Sequence, residues 1–447
     1  MISNDFIISS LNITNDDIED IDIIKSKDTL FIYLKLKDKH PVCPYCGFDA
    51  KIKDYKKQKI NIPDIVGLKA IVELKRRRYV CKACEKSFME ANPLGIDNCN
   101  ISWLTIIKIL EELRMPEETY ESIARRYHIS VSRVIRYLDS FVIVPRLPLN
   151  YSIGIDELHS PKLATRKSPY IAILVDNVKR DLLDILPSRN KEDLIRYFSA
   201  IPKEERLMVK YVTIDFWEPY RDIANTWFPN ALVAADPFHL MEILSRTFSA
   251  YRVSLMNRYD KHSRAYYLLK KWHYLLESDK YDFDPSTKKK YNKTFDMFLN
   301  YYDLRKMILD LDITLYKAYE LKCEVQEFIR SATYDNARER FNVLLKDFED
   351  ENLPLYRSFT AVLKNWKEEI INSCDRPYNS HKQSNSLAEY YNGRIGEVID
   401  RANGLVNFER TRARLLYMFN KSVNYSLSKD FSSYKTKGKK RGKYHKD

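Results

Sequence analysis

The side chains best equipped for chemistry fall into two sets. Cys43-Pro-Tyr-Cys46 and Cys81-Lys-Ala-Cys84 are CxxC knuckles, and such a turn lets two thiolates take adjacent corners of a zinc tetrahedron. Four sulfurs close the site, so the implied Zn2+ is structural. The interval between the pairs exceeds the usual gap of about 15 to 20 residues, but it reads as a hairpin that can bring the knuckles together. Two unrelated reactive or buried pairs are the competing reading. Cys99, Cys323 and Cys374 stand alone and read as core residues. The second set is acidic. Asp156 follows the strand-like run 151–155 and Asp215 follows 209–214. If those strands are neighbours, the two carboxylates converge where hard cations assisting phosphodiester displacement are bound, a task that takes about three acids. Two strand-end aspartates alone do not define such a site.

The elements that must position these groups can be read from periodicity. Residues 1–100 form a zinc-binding, β-rich module, with alternating segments at 29–37 and 68–79 and prolines as punctuation. Between its knuckles lie many basic residues, among them Arg76, Arg77 and Arg78, which are candidates for nucleic-acid contact. Such a module can equally be a folding staple or a dimer contact. Residues 101–148 turn helical, and 118–128 and 132–141 flank a three-residue turn in a helix-turn-helix pattern. Ile123, Ala124, Tyr127, Val131, Val134, Ile135 and Leu138 form its expected inward face. Ser132, Arg133, Arg136 and Tyr137 are expected to point outward, toward DNA. Plain helical packing is the alternative. Residues 149–240 read βββαβαβ, an order that sets the first and fourth strands side by side. Residues 241–380 read as all-helical, including 288–330. Residues 381–428 hold a further long helix, and 429–447 form a basic tail.

Composition narrows the partner. Seventy-five Lys plus Arg against 62 Asp plus Glu give +13, which favours a polyanion through counterion release. No run approaches the roughly 18 apolar residues of a membrane span, so no membrane partner is expected. The start lacks the marks of a secretory signal, and seven cysteines are too few for a disulfide scaffold in 447 residues. A reducing, cytoplasmic location follows as the expectation. No Gly-rich phosphate loop is present, so no nucleotide cofactor is expected.

A resemblance extends this reading. Gly154-Ile-Asp156-Glu157, Ile214-Asp215-Phe-Trp-Glu-Pro-Tyr220, Ala235-Asp236-Pro-Phe-His239, Ser384-Asn-Ser-Leu-Ala-Glu389-Tyr-Tyr-Asn392 and Gly404-Leu-Val-Asn-Phe-Glu-Arg410 resemble, in order, motifs of the ISL3 family of insertion-sequence transposases. The CxxC pairs and the helix-turn-helix look like that family too. The resemblance implies a ribonuclease H-like core of the DDE type, interrupted by a large helical insertion and using Mg2+ or Mn2+. Asp156, Asp215 and Glu389 match its three acids, while Asp236 and His239 match a [Cys/Asp]xxHis motif beside the second acid. Asp215 is taken as the metal ligand, with Asp236 the rival for that role. The implied partners are double-stranded DNA, as terminal inverted repeats and target, and a second copy of the chain; the implied location is the bacterial cytosol at the nucleoid. A catalytically inactive, domesticated DNA-binding descendant is the alternative function. Glu397 and Asp400 read as a solvated helix face.

Overall fold

The computed structural model describes residues 4–11, 13–97, 99–163, 168–376, 382–402 and 407–427. The basic tail and residues 404–406 of the closing motif lie outside them. The chain forms two compact units, one of Met1–Pro145 with Glu409–Asp447 and one of Arg146–Phe408.

The first unit opens with α1 (Asn4–Ser10), followed by β1 (Ile18–Ser26), β2 (Thr29–Leu36), β3 (Ala50–Ile65), β4 (Leu68–Cys81) and β5 (Ser87–Met89). The sheet order is β1-β2-β4-β3, with β5 beside β4. Alternation along β2 turns Leu30, Ile32, Leu34 and Leu36 into a core shared with Ile60, Val72, Leu74 and the α1 side chains Ile7 and Ile8. Strands β3 and β4 join through Val66 and Gly67, both at positive φ, 50° and 72°. That two-residue turn has the twist a tight hairpin needs. Next come α2 (Trp103–Leu113), α3 (Tyr120–Arg126), α4 (Val131–Phe141) and β6 (Val142–Ile143). Thr119 and Ser122 close a reciprocal capping box at the start of α3.

The second unit begins with β7 (Ser152–His159), β8 (Tyr170–Asp176), β9 (Asp181–Leu186), α5 (Lys191–Ser199), α6 (Lys203–Met208), β10 (Tyr211–Ile214), α7 (Glu218–Trp227) and β11 (Leu232–Ala235). The sheet order is β11-β10-β7-β8-β9, with β11, β10 and β7 parallel and β8 and β9 antiparallel. The first and fourth strands are therefore neighbours, as their order requires. Strands β8 and β9 are buried almost throughout, which demands cover on both faces. Beyond β11 run α8 (Pro237–Met256), α9 (Arg264–Lys271), β12 (Lys290–Asn292), β13 (Met297–Leu299), α10 (Tyr301–Leu309), α11 (Ile313–Ser331), α12 (Tyr334–Glu351), α13 (Arg357–Asn365), α14 (Lys367–Asn372) and α15 (Ser386–Arg401). One hydrophobic core runs continuously from Ile153 to Cys374. Asn372 at the end of α14 donates to the Val233 carbonyl of β11 at 2.9 Å.

Two expectations need correction. The segment 241–380 is not all helical, because β12 and β13 form a hairpin inside it. Tyr291 and Phe298 sit opposite each other with ring centroids 5.5 Å apart, a cross-strand aromatic pair that outweighs the helical spacing of neighbouring residues. The segment 381–428 is also not one piece of the core. Its end, α16 (Phe408–Phe419) and β14 (Asn424–Tyr425), is grouped from Glu409 on with the first unit. Strand β14 pairs with β6, Arg410 grips Asp139 at 2.8 Å, and Tyr417 donates to the Leu110 carbonyl. No helix among the described residues is long and apolar enough to cross a membrane.

Candidate functional site

The β3–β4 hairpin assembles the thiol cluster. Its register pairs Ala50 with Cys81, so the knuckle preceding β3 meets the one at the end of β4. Cys43 Sγ lies 3.7 Å from Cys84 Sγ, Cys46 Sγ lies 3.4 Å from Cys81 Sγ, and all four can contribute to one metal-binding group. The amides of Ala83 and Cys84 donate to Cys81 Sγ at 3.3 and 3.4 Å. Backbone hydrogen bonds from Cys84 and then Ala83 hold the Cys81 thiol below its ordinary range, whereas Cys46, despite a backbone hydrogen bond at Phe48, is pushed up to about 12 by the neighbouring Cys81 sulfur. The four sulfurs therefore ionise together only with a cation to offset them. Soft sulfur donors in a closed set of four fit structural zinc.

The carboxylate cluster sits at one edge of the second sheet. Strand β7 continues to His159, whereas its parallel pairing with β10 ends at Gly154. Asp156 therefore lies inside β7 rather than after it, yet past the end of its parallel neighbour. Asp215 follows β10 and Asp236 follows β11, at that same edge. Helix α15 packs over β7 and β8 and carries Glu389 in its first turn. Oxygens of Asp156, Glu157 and Asp215 lie within 4.8 Å of one another, as do ligand atoms of Asp215, Asp236 and His239. His239 Nδ1 is 3.3 Å from Asp215, 3.3 Å from Asp236 and 3.9 Å from Glu389. The cluster thus gathers acids from both sides of the 241–380 segment.

Asparagines and one glycine fix this geometry. Asn385, directly before α15, donates to Asp215 at 3.1 Å and to the Ile155 carbonyl at 3.0 Å. Asn392 donates to Asp156 at 2.9 Å. A Cβ at Gly154 would stand 2.7 Å from Val175, 3.0 Å from Thr213 and 3.2 Å from Asn385, so only glycine admits this close approach of strand and helix. Both asparagines and Gly154 stand within motifs singled out above, but their residue types alone carry no sign of this role.

The electrostatics call for a cation. Burial, then the neighbouring charge of Asp215, pushes Asp156 well above the usual carboxylate range. Burial raises Asp215 and Glu389 too. A hydrogen bond to Asp236 and the charges of the surrounding acids raise His239 to about 9. Acids packed this closely around one imidazole in a desolvated place cannot all carry charge unless a cation offsets it. The Oδ1 atoms of Asn385 and Asn392 and Oε2 of Glu157 are buried without hydrogen-bond partners. Hard oxygen donors with unmet capacity fit a divalent cation of the Mg2+ class. Glu157, next to Asp156 on β7, also contributes an oxygen to the group and forms an ion pair with Arg189.

Several expected DNA-facing residues are placed otherwise. Arg76 and Arg77 are each 2% exposed because β4 is interior to its sheet and acceptors flank it. Arg77 binds Glu19, Glu90 and the Leu36 carbonyl, and Arg76 binds Gln58, Asp97 and the Glu90 carbonyl. Arg78 is partly exposed and paired with Asp54. Tyr137 is buried, since the apolar stripe of α4 runs Val134, Tyr137, Leu138, Phe141, and Val131, assigned inward, is exposed. Ser132 and Arg136 are exposed, and Arg133 is half-buried, donating to Asn100 at 2.6 Å. Glu397 and Asp400 are exposed on α15.

A family model for ISL3 proteins, described as a transposase, matches residues 153–415, and a model described as the zinc-finger of transposase IS204/IS1001/IS1096/IS1165 matches residues 39–84. The chain is 21% identical over 388 residues to the transposase for insertion sequence element IS1001 of Bordetella parapertussis, covering 84% of this chain and 88% of that protein. It is 26% identical over 145 residues to the transposase for insertion sequence element IS1557 of Mycobacterium tuberculosis, covering 32% of this chain and 30% of that protein.

Proposed function

This chain belongs to the ISL3 family of transposases, and we propose that it binds the terminal inverted repeats of an insertion sequence, cleaves their 3′ ends and joins them to target DNA. The observation carrying this reading is that Asp215 lies beside Asp156 on one side and shares His239 with Glu389 on the other, though the three acids come from a strand, a strand end and a distant helix. The sheet order with flanking helices supports a ribonuclease H-like core. Helices α3 and α4, with Ser132, Arg133 and Arg136 on α4, are the proposed helix-turn-helix. Arg78 is retained as a proposed phosphate contact, while Arg76, Arg77 and Tyr137 serve packing.

In this reading Asp156, Asp215 and Glu389 hold Mg2+ or Mn2+, which when bound supplies Lewis-acid activation of the nucleophile and stabilises the leaving oxygen. Asn392 orients Asp156, and Asn385 orients Asp215. His239 steadies Asp215 and Asp236 while offsetting part of their charge. Water is the nucleophile for cleavage and a 3′-hydroxyl for joining, so one site serves both steps. In each step an O–P bond forms to the attacking oxygen while the P–O bond to the departing 3′ oxygen breaks, and the proton lost by the attacking oxygen is balanced by the proton that the departing oxygen takes up from solvent. The Cys43, Cys46, Cys81 and Cys84 cluster holds Zn2+ and keeps the first module folded. Joining two ends in one reaction calls for at least a dimer.

Incubation of the purified chain with a DNA fragment carrying its element's terminus and Mg2+ tests the proposal. Asp156→Asn, Asp215→Asn and Glu389→Gln should each abolish nicking while binding persists. An Asp215→Asn variant that nicks normally beside a dead Asp236→Asn variant would transfer the second ligand role to Asp236. Retention of the DNA end by wild type without any cutting would instead leave a binding protein.

A further inference from the structure

The helical part of the second unit contains a cavity that this mechanism does not use. It measures about 530 Å3 and lies where α9, the β12–β13 hairpin and α10 meet. Its wall combines Tyr267, Trp272, Tyr291 and Tyr301 with Lys271, Lys288, Lys290 and Lys293, and no acid lines it. We propose that this cavity binds an unpaired nucleotide of single-stranded DNA, the base entering among the rings and the flanking phosphates meeting the lysines.

Four observations support the assignment. The volume falls within the roughly 300 to 1,000 Å3 of small-ligand sites, which suits one base and excludes a stacked duplex. None of the four lysines has a carboxylate partner among the described residues, although the adjacent Lys289 pairs with Asp303 at 2.8 Å. Lys271 instead stands over the Tyr267 and Trp272 rings, 5.3 and 5.5 Å from their centroids. Unpaired ammonium groups beside aromatic faces are the pairing that single-stranded nucleic acid recruits. Trp272 packs against Tyr301 with ring centroids 5.9 Å apart, so the rings form one aromatic wall against which a base can lie. Finally, the wall is preformed. Asn300 donates to the Pro285 and Thr287 carbonyls at 3.0 and 2.9 Å, and the Tyr291–Phe298 pair stiffens the hairpin while leaving Tyr291 53% exposed. An exposed, braced ring gains more by stacking than a mobile one, since little ordering remains to be done.

The choice of DNA over RNA rests on the transposase reading; the cavity itself does not. Fluorescence anisotropy of the full chain with a labelled oligothymidylate, an abasic strand of equal length, an oligouridylate and a matched duplex tests the site without metal. Tyr291→Ala should weaken oligothymidylate binding about fivefold or more, Tyr291→Phe should restore it, and abasic and duplex binding should stay within about twofold. Reversing Lys288, Lys290 and Lys293 to Glu should cost at least about tenfold on the single strand. Equal losses on duplex and single strand, or no loss with Tyr291→Ala, would overturn the site, and tighter oligouridylate binding would overturn the assignment to DNA. The anisotropy readout needs neither metal nor cleavage, so it can fail while the acids still nick DNA, and nicking can fail while the cavity still binds the single strand.

Discussion

The thiol cluster of the first unit and the carboxylate cluster of the second are both sets of potential metal ligands gathered from separated segments, but they are held in opposite ways. The knuckles are short turns at the end of a hairpin, with little apolar cover of their own; Cys46 and its neighbours Tyr45 and Phe48 are exposed. The aspartates stand on or just after buried strands and Glu389 on α15, with Asp215 and Asp156 hydrogen-bonded by Asn385 and Asn392 and backed by a continuous core. In the proposed reading a metal completes the fold of the first region, whereas in the second the core holds the acids in place and a metal serves the chemistry.

The largest expected effect tests the first half of that contrast. Stripping zinc with a strong chelator, or making Cys81→Ser, removes a binding energy of about 10 kcal/mol or more. Hydrogen exchange should then become fast across 43–48 and 81–86, while the β7–β11 sheet stays protected. Unchanged exchange at the knuckles would show that they fold without metal.

Next comes Asp156→Asn, which should slow nicking by about 10³-fold, the loss of roughly 4 kcal/mol of transition-state stabilisation. Because the Asp156 charge is disfavoured by burial and by Asp215, thermal denaturation should show equal or slightly higher stability. A lowered midpoint would mean that the carboxylate is structural, erasing the contrast.

Gly154→Ala addresses the scaffold. The added methyl meets Val175 and Asn385, and such overpacking costs about 1 to 3 kcal/mol. Both stability and nicking should fall, since α15 must retreat with Glu389; loss of stability with full activity would show that the helix position is uncritical.

The smallest effect concerns pH. Burial alone would raise Glu118, but hydrogen bonds from Ser122 and Arg126 hold its carboxyl below the ordinary range. Its folded pKa is depressed, so its contribution is present above the ordinary carboxylate pKa and lost as pH falls through the lower, folded value. Chemical-shift titration should show α3 loosening only in that acidic window, and Glu118→Gln should flatten the response.

Legibility followed locality. The CxxC pairs could be read because the ligand type and the two-residue spacing both act within one turn. Asp156 and Asp215 could be read because strand order makes the first and fourth strands neighbours. Glu389 came only from family resemblance, as nothing near it distinguishes it from Glu397 one face along the same helix. Arg76, Arg77 and Tyr137 were misassigned for a shared reason. Charge and polarity are visible in a sequence, but whether a strand is interior, or where a helix stripe is centred, depends on neighbours. The β12–β13 hairpin was missed because its lysines and tyrosines fit helical spacing as well as strand alternation, and the Tyr291–Phe298 pair that decides the matter exists only once the chain has turned.

The sequence by itself determined which groups could bind metals, the strand order that brings two aspartates together, and the excess positive charge suited to DNA. Tertiary structure alone decided that Gly154 lets Asn385 reach the sheet, that His239 stands among three acids, and that two arginines face inward. Those outcomes turn on close approach and burial between residues remote in the chain, and on the desolvation that follows, which short-range patterns do not encode.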